Sequence, residues 1–344
     1  MSRKLLSYTA LGLILGNTAF ADVPKVAVDI APVHSLVSRV MEGVGTPELV
    51  IPAGASPHGY SLRPSEAKAL QDADMVIWMG EDLAPWMENS IETLSKNADV
   101  ITLLEESETK LLDFREGALF EEHDHGDHDD HDDHDDHDKD HDDHDDHDKD
   151  HDDHDDHDDH DDHDDHDDHD EHAHGEHDPH AWLSIENAQT WLNLVAGKLS
   201  AADPENAGVY FANAAEARAE IDALVKEVNS ILDPVRGRNF VVFHDAYQYF
   251  ETSFDFPAAG AISLGDASDP SAARIAEIQE RVKDEGINCV LSEPQYNPNL
   301  VTTVLSGTDA KTGVIDPLGA TLEPGPNLYR DLIRNMAKSL AGCL

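Results

Sequence analysis

From Val23 onward, short apolar runs alternate with amphipathic stretches. KVAVDI precedes HSLVSRVMEG, ELVIPA precedes SEAKALQDA, DMVIWMG precedes LAPWMENSIETL, and DVITLL follows. Short apolar runs bounded by turn residues predict buried strands, and the stretches between them predict helices. Strand alternating with helix at this spacing predicts βαβ units and a parallel sheet.

Past residue 178 the pattern changes and then returns. HAWLSIENAQTWLNLVAGKLSAA predicts one helix, and 203–232, rich in Ala and Glu, predicts a second, long one with Asp203 as its cap and Pro204 at its first position. Beyond it the alternation resumes through NFVVFHD, AYQYFETSF, SAARIAEIQERVKDEG, INCVLSEP, PNLVTTVLSG, TGVIDPLG and YRDLIRNMAKSL. The expected fold is therefore α/β: two parallel-sheet lobes, 22–202 and 233–344, joined by one long rigid helix over 203–232. Open α/β sheets bind ligands at the carboxyl edges of their strands, so two such lobes face each other across a cleft. A helical connector should limit how far that cleft opens.

Two segments stand outside this alternation. Residues 1–21, with Arg3 and Lys4 ahead of an apolar stretch and Ala19-Phe20-Ala21 after it, predict a cleaved secretory signal peptide, which places the mature chain in a bacterial periplasm. The second is a loop at 121–178, built around a run from His123 to His177 that holds 19 His and 29 Asp. Such a segment has nothing apolar to bury and is expected to be disordered.

The formal net charge of the chain is −50, and the run carries 31 carboxylates against 2 lysines. So acidic a surface repels phosphate backbones and anionic lipid, which makes nucleic acid and membrane surfaces poor partners and cations good ones. The two cysteines, Cys289 and Cys343, are an even pair in an oxidising compartment and are expected to form a disulfide. They lack the C-x-x-C spacing of structural zinc sites.

Of 23 histidines only His34, His58, His180 and His244 lie outside the run. His58 sits in a Pro- and Gly-rich turn after ELVIPA, His180 in DPHAWLS ahead of a helix, and His244 at the end of the strand VVFH. Three imidazoles from separate strand or loop ends, converging on one cleft, are the ligand inventory of a zinc site. Calcium and magnesium prefer oxygen ligands.

At this point the chain resembles the zinc-specific periplasmic solute-binding proteins of ZnuA-type ABC importers. The resemblance rests on GASPHGYSLRPSE, DPHAWLS after a His/Asp-rich loop, FHDAYQYF, LSEPQ and IDPLG, in that order along the mature chain. It implies that His58, His180 and His244 bind Zn2+ in the interlobe cleft, that the ion is cargo, and that a monomer hands it to a membrane permease. Some relatives carry Glu immediately before the first His; here that residue is Pro57, so Asp316 in IDPLG becomes the expected fourth ligand, with water as the rival. Manganese-binding relatives place Glu where this chain has His244, and the third imidazole favours zinc, although copper and nickel are not excluded by affinity order. Glu293 in LSEPQ is expected either to form part of the cleft wall or to accept from an imidazole N–H. His34 falls outside the ligand set; it is expected to be a surface residue at a helix N-terminus, with an auxiliary or transient ligand at the same sheet edge as the rival reading.

The run ends three residues before His180. Its histidines, among them His123, His125, His128, His131, His169, His172, His174 and His177, are expected to act as accessory zinc ligands that scavenge ions near the cleft, where tethering raises their local concentration. Two rivals follow from the same residues. One is a periplasmic zinc buffer without a transporter. The other is a zinc hydrolase, disfavoured because no H-E-x-x-H helix is present.

Overall fold

The computed structural model describes residues 23–115, 177–263, 271–284, 286–296, 301–303 and 305–344. The expected signal peptide and all of the expected loop except 177–178 lie outside the described residues.

Two four-stranded sheets organise the chain. The first contains β1 (Val26–Val28), β2 (Glu48–Leu49), β3 (Met75–Trp78) and β4 (Asp99–Thr102), in the order β2-β1-β3-β4. The second contains β5 (Phe240–His244), β6 (Gly260–Ser263), β7 (Cys289–Ser292) and β8 (Lys311–Val314), in the order β6-β5-β7-β8. Every pairing in both is parallel. The central strands β1, β3, β5 and β7 are buried along their whole length, which is why they appear in the sequence as unbroken apolar runs; the edge strands β4 and β8 are partly exposed.

Helices α1 (Ala31–Val40), α2 (Pro64–Asp72) and α3 (Pro85–Leu94) connect the first sheet; α2 and α3 open on a proline and α1 carries Pro32 second, in a first turn where its missing N–H has no partner to lose. Helix α4 (Ile185–Ala202) is capped by Ser184, whose hydroxyl accepts from Asn187 N at 3.2 Å. In the second sheet the connections are α6 (Gln248–Phe254) and α7 (Ala272–Asp284), and α8 (Leu328–Cys343) closes the chain. Strand β6 is absent from the alternation expected of the sequence, since GAIS is too short and too small to stand out beside its neighbours.

The long helix is α5, Ala207–Leu232, and it begins later than the 203 expected. Asp203 ends α4 instead of starting α5: its N–H returns to Leu199 O at 2.8 Å, and its carboxylate accepts from Tyr210 Oη at 2.9 Å and Asn206 Nδ2 at 2.7 Å. Tyr210, Ala214, Ala217, Ile221, Leu224, Val228 and Leu232 form a buried stripe at spacings of three and four. This helix packs on α1 and α4 from the first half and on α8 from the second. Both sheets belong to one compact unit. Cys289 at the start of β7 and Cys343 at the end of α8 form the expected disulfide, with Cα atoms 5.7 Å apart.

Candidate metal centre

His58 lies beyond β2 in a turn held by Trp86, whose indole N–H donates to Pro57 O at 2.7 Å. Tyr60, edge-on to the same indole, donates its hydroxyl to Glu66 Oε1 at 2.8 Å. The backbone leading into the imidazole is thereby fixed from outside the site.

His180 precedes a single 3-10 turn, Ala181–Leu183, and is 2% exposed. Asp178 Oδ1 accepts from His180 N at 3.0 Å and pairs with His180 Nδ1 at 2.7 Å. His244 is the last residue of β5, 4% exposed, and its Nδ1 pairs with Glu293 Oε1 at 2.6 Å, just past the end of β7. Glu293 therefore takes the role of imidazole partner. A carboxylate only accepts, so each pair assigns the ring proton to Nδ1 and turns the Nε2 lone pair inward.

Those two Nε2 atoms stand 3.4 Å apart. Two lone pairs directed at the same point repel unless a cation lies between them. Two nitrogens bound tetrahedrally to zinc at ~2.05 Å are separated by about 3.3 Å. His58 completes the group: one ligand atom from each of His58, His180 and His244 lies within 4.8 Å of the others. The cavity they enclose is about 10 Å³ and is otherwise walled by side chains including Pro57, Trp182, Tyr296, Pro317 and Leu318. That is roughly room for one water-sized guest. Three nitrogens in an atom-sized cavity, with two buried carboxylates behind them to offset a dication, suit zinc better than an oxygen-seeking ion.

Asp316 is not brought into this group. Its Oδ1 accepts from Leu318 N at 3.1 Å and Gly319 N at 2.9 Å, and it lines a different cavity beside Leu332 and Met336. His34 is not a surface residue: it is 5% exposed, with Nε2 on Pro47 O at 3.0 Å and Nδ1 at 3.4 Å from Ser38 Oγ. Packing of α1 over the first sheet buries it, and that burial lowers its pKa. Of the loop histidines named above, only His177 is described, with Nδ1 2.9 Å from Asp113 Oδ1.

Sequence reasoning missed the anchorage of the loop's two ends. Asp113 and His177 form an isolated antiparallel bridge, and Asp178 N donates to Leu112 O at 2.8 Å. The Tyr249 hydroxyl accepts from Leu112 N and donates to Asp178 O, both at 2.9 Å. Arg115 donates from Nε to Asp245 Oδ2 at 2.9 Å and from Nη1 to Glu251 Oε2 at 2.8 Å. Burial works to lower the guanidinium pKa, and the two carboxylates outweigh it. Arg115 lies 130 and 136 positions from its two carboxylates, so no local pattern reveals this cluster.

Residues 26–343 match the family model for ZnuA, zinc-uptake complex component A, periplasmic. The chain is 46% identical to the high-affinity zinc uptake system protein ZnuA of Brucella abortus, over 96% of this chain and 94% of that one. It is likewise 46% identical to the protein of that name from Paracoccus denitrificans, over 98% of each. Among solved structures, a crystal structure of ZnuA superposes with a TM-score of 0.68 at 18% identity, over 94% of this chain and 99% of that one. A mutant of the laminin-binding adhesin Lmb from Streptococcus agalactiae superposes with a TM-score of 0.68 at 20% identity, over 93% and 99%. Likenesses at such identities speak for the fold alone.

Proposed function

Because the chain belongs to the ZnuA family of periplasmic zinc-uptake components, we propose that its cargo is Zn2+, bound by His58, His180 and His244 between the two sheets. The observation that carries this reading is the pair of Nε2 atoms at 3.4 Å, each ring held by a carboxylate on its far nitrogen. The site binds and releases without chemistry, and the loaded protein docks on an ABC permease. On this reading residues 1–21 direct export, and the His/Asp run is an accessory scavenger. Imidazole must be deprotonated to bind metal, so capture by the run weakens as the medium is acidified through its ordinary pKa.

Calorimetric titration with zinc tests the assignment, using the exported chain, a version without 123–177, and a version carrying His58→Ala, His180→Ala and His244→Ala. One tight site survives the deletion and disappears from the triple variant. Tight binding that leaves with the run instead would make the protein a metal store and the three histidines structural. Loss of growth under zinc starvation that depends on the permease separates transport from buffering.

A further inference from the structure

We propose that the Gln295 side chain supplies the neutral oxygen at the ion's fourth coordination position, completing a tetrahedron whose other corners are the three imidazoles. The inference rests on the zinc reading of the site. Gln295 lines the same cavity as His58, His180 and His244. Five buried side-chain polar atoms lack a hydrogen-bond partner among the described residues, and two of them are Nε2 and Oε1 of this one amide. Buried polar groups in folded proteins are almost always paired, and an amide with neither end satisfied is costly to hold. Such a group beside three convergent ligands is explained if a guest of the cavity is its partner.

Charge selects a neutral donor at this position. Asp178 and Glu293, each on the outer nitrogen of a ligand, already balance a dication. A third carboxylate would leave a net negative charge in a cavity of about 10 Å³ among buried side chains, whereas an amide leaves none. Asp316, the other candidate, already uses Oδ1 on the amides of Leu318 and Gly319 and faces a separate cavity. An amide oxygen is also a poorer zinc ligand than imidazole. A carrier that must surrender its cargo gains from one weak corner, because the ion can leave by that side first.

The experiment uses the full exported chain with Gln295→Met, which keeps length and removes the amide, and Gln295→Glu, which restores an oxygen. Zinc affinity is read by competition with a chromophoric chelator, release by stopped flow, and geometry from the visible bands of the Co2+-loaded protein. Gln295→Met should weaken zinc roughly 10–100-fold, release it faster and alter the cobalt bands, with metal-free thermal unfolding unchanged or raised. Gln295→Glu should recover the cobalt bands and release zinc more slowly than Gln295→Met, at a cost in metal-free stability from the added buried charge. A Met variant indistinguishable from wild type in affinity and cobalt spectrum overturns the assignment. His244→Ala, run in parallel on the chain lacking 123–177, separates the two failures: loss of zinc there leaves the three-histidine site standing without Gln295, and retention removes that site and this inference together.

Discussion

The two halves of the molecule share one topology and put different chemistry at the same place in it. In the first, Val26 pairs with Met75; in the second, Phe240 pairs with Cys289. Four residues beyond each of these positions the chain leaves the sheet, at Ile30 and Met79 in one half and at His244 and Glu293 in the other. Ile30 and Met79 are core residues, and Asp29 seals the point between them by accepting from Ile30 N and Met79 N, both at 2.7 Å. His244 and Glu293 instead pair with each other and present a nitrogen to the cavity. A break in strand order creates the crevice, and the side chains there decide whether it is packed shut or keeps a cavity lined by ligand-type nitrogens.

Exchanging the pairs gives the largest expected effect. His244→Ile with Glu293→Met writes the first half's residues into the second. Tight zinc binding should vanish, by far more than the roughly 10–100-fold that loss of one carboxylate behind a ligand brings. Stability should hold or rise, since replacing a buried polar pair by apolar residues is often neutral or stabilising by about 1–4 kcal/mol. Calorimetry and thermal unfolding of the double variant check both; unchanged zinc binding would dissolve the contrast between the halves.

Next in size is the covalent difference. Only the second half holds cysteines, and its disulfide closes across 54 positions. Cys289→Ser with Cys343→Ser should lower unfolding free energy by about 4 kcal/mol in the chain-entropy account. Denaturant titration reads this, and an unshifted midpoint would mean that packing of α8 alone holds β7.

The smallest and most conditional effect belongs to the sealed half. Burial raises the Asp29 carboxyl to about 7, against the pull of the amides it accepts from. The folded state then binds a proton that the unfolded state has released, so this group's contribution is fully present at acid pH and is lost as pH rises from about 4 to about 7. Wild type measured against Asp29→Asn should lose on the order of 3 kcal/mol or less across that window. A difference flat with pH would place the carboxylate's charge elsewhere.

The central strands, the cluster of three histidines and the disulfide partners were legible because each has a local mark: an apolar run, an imidazole at a strand or turn end, an even pair of cysteines. What escaped depends on contacts between distant segments. Asp203 looks like a helix cap until Tyr210 takes its carboxylate. His34 looks solvent-facing until Pro47 covers it. Arg115 and Gln295 carry no signature at all, since one is defined by Asp245 and Glu251 and the other by what its amide fails to find.

The bridge between Asp113 and His177 sets the terms on which the repeat between them can change. Its two ends are fastened side by side to the folded body through Tyr249 and Asp178. For a loop closed at its base, doubling the length adds only about 0.6 kcal/mol of closure entropy. The number of residues between those two ends can therefore change at little cost to the folded body that holds them.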